Sequence, residues 1–314
     1  MKSILYLMNT IWIVMPILVV LMFLLGMELS KKAFTDIARN PKAVLFSMIG
    51  QLIVLPVIAF ADECDSAYLC FYHTKKNQSV MAKKEGVKKM FDNIAHDYDK
   101  LNHILSLNID KIWRKKAVRQ LADEARPLNV LDVACGTADF TIEIARNLAQ
   151  GSRVVGVDIS EGMIAVGKDK LAKHGLDADL QVADCEALPY VDNTFDRISV
   201  GFGVRNFEHL ELGLSEMYRV LAPGGKLVIL ELSVPSNAFV RWCYKLYFLK
   251  ILPFVGGLVS GNRGAYEYLP ESVLRFPAPD VFMEMMKTAG FDIVEHTALT
   301  LGICRMYIGK KKQQ

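Results

Sequence analysis

The chain of 314 residues lacks several patterns that would point directly to a particular chemistry. Its six cysteines include no pair with C-x-x-C spacing, so we expect no metal site. Its net charge is only +3, and no stripe of Arg and Lys with interleaved aromatic residues occurs, so we expect no nucleic-acid partner. Cys135 and Cys185 fall in two predicted loops, which favours free thiols in a reducing compartment over a disulfide framework.

A dinucleotide-binding fingerprint is also missing. Residues 130–139 form an apolar run that ends in a small-residue turn and opens a helix, but Ala134 and Ala138 stand where G-x-G-x-x-G would need glycines. This disfavours pyrophosphate binding. Asp158 ends the next apolar run, 22 residues after Gly136, at the spacing typical of an acid that binds a ribose. The pattern favours an adenosine-type cofactor without phosphate, namely S-adenosylmethionine; a plain turn in a parallel sheet is the alternative.

The second half of the chain has the alternating pattern of an α/β protein. Strands alternating with helices predict a mostly parallel sheet covered on both faces, and the last two strands predict an antiparallel hairpin at its edge. An insertion at 237–278 interrupts this pattern. The predicted strands are 128–134, 153–158, 179–183, 196–202, 226–233, 291–297 and 303–309, and the predicted helices are 86–98, 108–125, 139–149, 161–174, 209–221 and 279–289.

Ligands of such sheets bind at the carboxyl ends of the strands, where three further polar residues fall. Asp184 follows the third strand and either binds an adenine amino group or caps a helix. Arg205 follows the fourth strand and is either a cation that orients the substrate or a surface ion-pair partner. Asp196, at the start of that strand, is interpreted as structural.

The N-terminus differs in composition. Residues 4–27 and 43–61 are almost entirely apolar, and each approaches the ~20 residues needed to span a bilayer as a helix. We therefore expect a two-helix transmembrane hairpin over 1–61, with a soluble buried hairpin as the alternative. A linker is expected at 62–84 and a catalytic domain at 85–314. Residues 10–61 resemble an internal helix pair of the bile acid:sodium symporter family, and a complete symporter has many more helices.

The topology of this hairpin conflicts with an S-adenosylmethionine-dependent enzyme. The loop between the apolar runs is basic and prefers the cytoplasmic side, which would send the remaining chain to the other side of the membrane. Either the hairpin inserts against this rule, or the N-terminus is a fused fragment or a misassembled reading frame. We favour the second interpretation and expect a cytoplasmic, membrane-associated catalytic domain.

Motifs across residues 87–311 resemble the ubiquinone/menaquinone biosynthesis C-methyltransferase family of the UbiE type. They follow the family order and lie at 91–99, 101–103, 113–114, 136–139, 201–206, 218–225 and 268–272. The resemblance implies a class I, Rossmann-like methyltransferase with a seven-stranded sheet. It implies that Thr137, Asp158, Asp184 and Cys185 contact S-adenosylmethionine, beside the turn at Gly136. Ala138 and Gly201 depart from the family, because they replace a common glycine and, in some members, a cofactor-binding serine.

The resemblance also implies methylation of a ring carbon on a polyprenylated quinol, most readily demethylmenaquinol, in menaquinone or ubiquinone biosynthesis. Arg205 is our candidate for holding the quinol oxygen. Asp99 and Tyr98 are candidates for proton transfer or for closing the site. We rank His103 and His209 below them, because a lone histidine is more often structural. The oligomeric state does not follow from the sequence.

The aromatic insertion at 239–257 predicts contact with a membrane surface or, equally, a lid on the sheet. Three other functions stay open. The first is a methyltransferase that acts on another lipid or a sterol. The second is a membrane-anchored module that binds cofactor without turnover, for which Ala138 is the sole support. The third is a transporter fragment, which is favoured if residues 1–61 dominate.

Overall fold

The computed structural model describes residues 84–96, 98–106, 108–247 and 263–313. The predicted hairpin at 1–61 and all but the last residue of the predicted linker lie outside these residues. The chain divides into two units, Met1–Ser79 and Val80–Gln314, and only the second contains described residues. Among the helices described, none combines the length and apolar character needed to cross a membrane.

The second unit alternates helices and strands, as the sequence predicts. Its α-helices are α1 Lys84–Ile94, α2 Tyr98–Leu105, α3 Ile109–Leu121, α4 Asp139–Asn147, α5 Glu161–His174, α6 Leu210–Val220, α7 Ala238–Leu246, α8 Arg263–Arg275 and α9 Pro279–Thr288. Its strands are β1 Asn129–Val133, β2 Arg153–Asp158, β3 Asp179–Val182, β4 Phe195–Gly201, β5 Leu221–Leu232, β6 Ile293–Leu299 and β7 Cys304–Lys310. Two 3₁₀ turns occupy Val204–Asn206 and Thr300–Gly302.

The seven strands form one sheet in the order β3-β2-β1-β4-β5-β7-β6. The first five strands are parallel, whereas β7 runs antiparallel to both β5 and β6. The chain order reverses between the neighbours β1 and β4, which makes a topological switch point at their carboxyl ends. The predicted parallel sheet with an antiparallel edge hairpin is therefore confirmed.

Both faces of the sheet are buried, because successive side chains of a strand point to opposite sides. Along β1, Val130 packs with α3 and α4, whereas Leu131 packs with α6 and α9. The two hydrophobic clusters cover opposite faces and give a three-layer α/β/α core. This rigid core holds the loops at the strand ends in place.

Two local predictions need correction, and an insertion without an assigned secondary structure contains helices. The helix predicted at 86–98 ends at Ile94, and a separate helix, α2, follows it. The insertion at 237–278 contains the helices α7 and α8, and α8 includes Pro270, a residue that normally argues against a helix interior. Lys84, placed in the linker, is the first residue of α1.

Candidate active site

Two connected cavities lie at the carboxyl ends of β1, β2 and β4. The larger has a volume of about 320 Å³ and the smaller about 90 Å³. Five of the described residues line both cavities, and all but one of them lie at the end of a strand or in the turn that follows it. The shared lining residues are Tyr98, Ala134, Gly136, Gly201 and Phe202. The cavities therefore form one site at the switch point of the sheet, where open α/β sheets bind ligands.

The smaller cavity contains the predicted ribose-binding acid, Asp158. Its Oδ2 accepts a hydrogen bond from the Gly136 backbone N–H at 2.9 Å, and its Oδ1 accepts one from the Ser160 N–H at 2.9 Å. Burial raises the pKa of Asp158, and these two backbone bonds partly offset that rise. Each oxygen keeps a second lone pair, so the carboxylate can still accept the two hydroxyls of a ribose.

The turn after β1 has the backbone shape that a glycine-rich loop would have. Ala134, Gly136 and Ala138 adopt φ values of 53°, 54° and 68°, in the left-handed region. A Cβ on Gly136 would meet no atom within 4 Å, so the turn faces open space at the cavity. The two alanines that depart from a glycine pattern therefore preserve the turn. This weakens the case for a non-catalytic module, which depended on Ala138.

Asp184 and Cys185 lie at the far end of the smaller cavity, after β3. Asp184 pairs with the Lys84 ammonium from α1, and its Oδ1 accepts the Glu186 backbone N–H at 2.9 Å. Burial opposes the charge on Lys84, but the hydrogen bonds and charges of Asp184 and Glu186 together outweigh it and raise the lysine pKa. Burial raises the pKa of the Cys185 thiol, so Cys185 offers a neutral contact. The first turn of α1 therefore forms part of this cavity, which the sequence did not indicate.

Arg205 lines the larger cavity and is held by Glu231 at the end of β5. The Arg205 Nη1 lies 2.7 Å from Glu231 Oε1, and the Arg205 backbone N–H donates to Oε2 at 3.1 Å. Nη1 also donates to the Phe202 carbonyl, and Nε lies 3.3 Å from Ser272 Oγ. Within the described part of the chain, Nη2 has no partner. The protein thus fixes the guanidinium in the lining of the larger cavity.

The Arg205–Glu231 pair is deeply buried. The Arg205 side chain is 5% exposed and that of Glu231 is 0% exposed. Burial opposes the charge on Arg205, but the Glu231 carboxylate together with the neighbouring Tyr98 and Tyr268 outweighs it and raises the arginine pKa. Arg205 is therefore neither an exposed residue nor an isolated cation. The sequence signal that could have identified Glu231 is an acidic residue inside an otherwise apolar strand, since a buried charge requires a partner.

Helix α2 lies over the turn after β1 and carries Tyr98 and Asp99. Asp99 accepts a hydrogen bond from the Thr137 hydroxyl and lies 2.6 Å from Lys170 Nζ of α5. Lys170 also pairs with Asp139 at the start of α4. Asp99 and Thr137, predicted for different roles, are therefore bonded to each other. Asp99 thus holds α2 against the turn after β1.

Tyr98 is partly buried and lines both cavities. Its pKa is raised by burial, against the opposing effect of the nearby Arg205 charge. The phenol is therefore protonated at neutral pH. It suits hydrogen-bond donation at the junction of the cavities better than proton acceptance.

His103 of α2 belongs to a cluster of salt bridges that joins α2 to α3 and α4. Its Nδ1 lies 2.8 Å from Asp110 Oδ2, and its Nε2 lies 3.2 Å from Asp139 Oδ2. These three residues have the proximity of a metal site. Arg114 contacts both carboxylates, and Lys170 contacts Asp139, so the acids already have cationic partners. The cluster fixes α2 and α3 to α4.

His209 and Asp196 lie outside the two cavities. His209 is exposed, and its Nδ1 lies 3.1 Å from Glu186 Oε2. Asp196 accepts the Asn129 backbone N–H at 2.8 Å and pairs with Arg126 at 3.0 Å, so it links β1 and β4 at their other end. Both observations agree with the low rank of His209 and the structural interpretation of Asp196.

Asp132 of β1 is a buried acid of the larger cavity that sequence reasoning missed. It is 0% exposed and accepts hydrogen bonds from Ser199 Oγ and Thr141 Oγ1, each at 2.6 Å. Burial raises its pKa to about 6, although both hydroxyls favour the charged form. Its position within an apolar strand is the signal that could have identified it.

Two solved structures share this fold. The [4+2]-cyclase SpnF superposes with a TM-score of 0.55 at 17% identity, over 74% of this chain and 97% of its own. A Thermotoga maritima protein described as a SAM-dependent methyltransferase, possible histamine N-methyltransferase, has a TM-score of 0.50 at 17% identity, over 71% of this chain and 99% of its own. At this identity the similarity concerns the fold alone, which is the Rossmann-like class I methyltransferase fold.

Sequence comparison identifies the family. The model of the ubiE/COQ5 methyltransferase family matches residues 78–311. The demethylmenaquinone methyltransferase of Bacteroides fragilis is 46% identical over 231 residues, which are 73% of this chain and 94% of that protein. The protein of the same name from Thermus thermophilus is 45% identical over 71% of this chain and all of its own length. The chain belongs to the ubiE/COQ5 methyltransferase family, as its motifs predict.

A third relative carries the other substrate in its name. The ubiquinone/menaquinone biosynthesis C-methyltransferase UbiE of Geobacter sulfurreducens is 45% identical over 73% of this chain and 90% of its own. At the N-terminus, the model of the Sodium Bile acid symporter family matches residues 15–76. The resemblance noted at 10–61 is thereby confirmed, and it stays confined to the segment before the methyltransferase match.

Proposed function

We propose that this protein is an S-adenosylmethionine-dependent C-methyltransferase that converts demethylmenaquinol to menaquinol. The observation that carries the proposal is the guanidinium of Arg205, which Glu231 fixes and which lines a cavity that adjoins the Asp158 pocket. A buried, oriented cation beside a ribose-type pocket suits an acceptor that develops negative charge on oxygen. A quinol ring that reacts at carbon is such an acceptor.

The residues of the smaller cavity fit the cofactor. Asp158 would accept the ribose hydroxyls, and Asp184 would accept the adenine amino group, with Cys185 against the ring. The open turn at Gly136, which lines both cavities, and Thr137, which lines the larger one, would face the part of the cofactor nearest α2. When bound, S-adenosylmethionine supplies a methyl group already activated on a sulfonium. The protein therefore needs mainly to align the acceptor carbon and to stabilise charge.

The residues of the larger cavity fit a quinol. Arg205 would hold the ring oxygen, whose proton would pass to solvent, and would stabilise the electron density that reaches the neighbouring carbon. After methylation that carbon would lose its own proton and the oxygen would regain one, so one proton is released overall. Tyr98, kept protonated by burial, would donate a hydrogen bond at the same place. Asp99 is committed to Thr137 and Lys170, so it would position α2 rather than accept the proton.

The outer part of the larger cavity fits a prenyl tail. Apolar and aromatic side chains from α3, α7, α8 and the residues directly after α7 and after the 3₁₀ turn that precedes β7 line it, and these are Ile109, Trp113, Tyr244, Tyr247, Leu269 and Ile303. A polyprenyl quinol resides in a membrane, so we place the enzyme on the cytoplasmic membrane surface. The aromatic insertion would lie beside that surface, and only its helix α7 and Tyr247 are described.

A direct assay separates this function from its alternatives. Purified protein is incubated with methyl-labelled S-adenosylmethionine and a panel of demethylmenaquinol, a ubiquinol precursor that lacks the ring methyl group, sterol and membrane lipid extract. We expect label in the demethylmenaquinol product, at a rate well above that for sterol or bulk lipid. Label confined to another lipid would establish the runner-up methyltransferase. Cofactor binding without any transfer would establish the non-catalytic module.

A further inference from the structure

Two exposed apolar side chains stand beside the larger cavity. Ile112 of α3 is 55% exposed, and Leu301 of the 3₁₀ turn before β7 is 74% exposed. Their chain neighbours are joined, since Trp113 Nε1 donates to Thr300 Oγ1 at 2.8 Å, and both of these residues line the cavity. Ile112 and Leu301 therefore flank one edge of the cavity without contributing to its lining.

The exposed face of α3 is basic along its length. Four exposed cations share α3 with Ile112, namely Lys111, Lys115, Lys116 and Arg119. The acid of this helix, Asp110, is buried and occupied by His103 and Arg114. None of the four cations forms an ion pair within the described residues. The outer face of α3 thus carries uncompensated positive charge around an apolar side chain.

Leu301 is also in an unfavourable backbone conformation. Its φ of 56° lies in the left-handed region, where glycine or asparagine is favoured and a leucine side chain is strained. An exposed leucine there gains little from burial within this fold. A role outside the folded chain accounts for both its exposure and its residue type.

We propose that Ile112, Leu301 and the four cations of α3 form a docking surface for an anionic lipid bilayer, here called the α3 rim. The cations would lie among anionic headgroups, and the two apolar side chains would reach the acyl boundary. The cavity edge would then face the bilayer, so a prenyl tail could enter without crossing water. Only this last consequence depends on the proposed quinol substrate; the lipid binding does not.

Charge complementarity favours a bilayer over a protein partner. The rim pairs several cations with two separated apolar side chains, rather than offering the continuous apolar core that a stable protein interface needs. It is also distinct from the aromatic insertion, because it is built from α3 and the turn before β7. A second copy of the chain is the other occupant that the test must distinguish.

Co-sedimentation with vesicles tests the rim without any enzymatic readout. The test uses a shortened chain starting at Met81, since residues 80–314 form one compact unit that contains most of the family match. The vesicles contain phosphatidylglycerol and phosphatidylcholine, with pure phosphatidylcholine as reference. We expect salt-sensitive binding to the anionic vesicles. Lys115→Glu with Lys116→Glu should weaken it at least about tenfold, because each basic residue near such a surface contributes roughly fivefold.

Matched variants distinguish the rim from general charge and from misfolding. Lys168→Glu with Lys173→Glu reverses two exposed lysines of α5 and should leave vesicle binding within about twofold. Leu301→Asn introduces a residue that tolerates a positive φ. The variant should therefore fold at least as stably as the wild type while binding anionic vesicles more weakly. Val191→Asn is the control for this variant, because Val191 is 77% exposed and lies outside the α3 rim. It should leave vesicle binding unchanged.

The full chain supplies the second readout. The rim variants should raise the apparent KM for a long-chain demethylmenaquinol held in anionic vesicles and should leave turnover of a short-chain quinol in water unchanged. Equal effects of rim and control variants, or unchanged vesicle binding, would overturn the proposal. The proposal would also be overturned if light scattering showed that the rim variants change the oligomeric state while vesicle binding stays the same. If the wild type fails to methylate any quinol but the vesicle result holds, the proposed function fails and the rim stands.

Discussion

At the level of single residues, Arg205 and Glu231 link the fold to the proposed chemistry. Arg205 follows β4 and Glu231 ends β5, and the two strands are neighbours in the sheet. Parallel neighbours bring their carboxyl ends together, so residues 26 positions apart meet at 2.7 Å. The pair is buried, which makes its orientation fixed and the loss of either member costly.

Replacing Arg205 with lysine should lower kcat roughly 100-fold while the Kd for S-adenosylmethionine stays within about threefold. Lysine keeps the charge but cannot hold Glu231 and the cavity ligand together. Glu231→Gln should have a smaller effect in the same direction, because glutamine keeps one acceptor for Arg205. Steady-state kinetics and calorimetry measure both quantities. Full turnover in a folded Arg205→Lys variant would remove the residue from the reaction.

Asp132 should impose a pH dependence on stability. Its folded pKa of about 6 lies above the unfolded value near 3.8, so the folded state holds the proton more tightly. The wild type therefore loses stability as pH rises from about 4 to 6, by up to about 3 kcal/mol. Asp132→Asn should not show this loss. The free energy of unfolding of the variant should therefore rise relative to that of the wild type as pH increases from about 4 to 6. Urea unfolding at several pH values measures the difference, and parallel curves would contradict the assignment.

At the level of elements, α2 acts as a cover held by charges. Lys170 of α5 bridges Asp99 on α2 and Asp139 on α4, with side chains 20–24% exposed. Partly buried ion pairs of this kind are weakened by solvent, so each contributes about 1 kcal/mol or less. Their joint effect is to fix Tyr98 and Thr137 relative to each other.

Lys170→Met should weaken S-adenosylmethionine binding about fivefold, because α2 loses its connection to the cofactor turn. Lys88→Met is the matched control. Lys88 of α1 also pairs with an acid of α5, since its Nζ lies 2.9 Å from Glu161 Oε1, but this pair does not involve the turn after β1. Calorimetry of both variants gives the comparison. The same affinity in both would show that α2 stays closed without Lys170.

The elements that the sequence predicts well are those with strong local patterns. The predicted strand at 153–158 matches β2 residue for residue, because a buried parallel strand is a short apolar run. Helix α8 was missed because Pro270 argues against a helix, and α2 was missed because it follows α1 after a break of only three residues. Tertiary packing overrides both local signals.

The same contrast applies to the site. Gly136 and Asp158 were found because their spacing is a property of one βαβ unit. Glu231, Asp132 and Lys170 were missed because their roles depend on which strands and helices become neighbours. Nothing in the local pattern around Lys170, within an ordinary amphipathic helix, distinguishes it from the exposed lysines of the same segment.

At the level of the whole molecule, the methyltransferase match begins at residue 78 and the symporter match ends at residue 76. The two matches meet without overlap, near the division between Ser79 and Val80. This arrangement agrees with a junction between two unrelated pieces. We accordingly propose that residues 1–61 contribute nothing to the cofactor site.

A chain starting at Met81 should keep the full affinity for S-adenosylmethionine and full turnover of a short-chain quinol in detergent. A chain starting at Met90 should lose much of both, because Lys84 and Val87 line the smaller cavity and Lys84 pairs with Asp184. The comparison uses the full chain as reference. Loss of folding or activity already at the Met81 start would show that the N-terminal segment belongs to the enzyme.

The most direct test of the account is the position of the transferred methyl group. The full chain is incubated with carbon-13 methyl-labelled S-adenosylmethionine and demethylmenaquinol, and the isolated product is examined by NMR after reoxidation to the quinone. The account predicts the label on a ring carbon, in a product identical to menaquinone. Label on an oxygen, or no label in the quinone fraction while the cofactor binds, would contradict it.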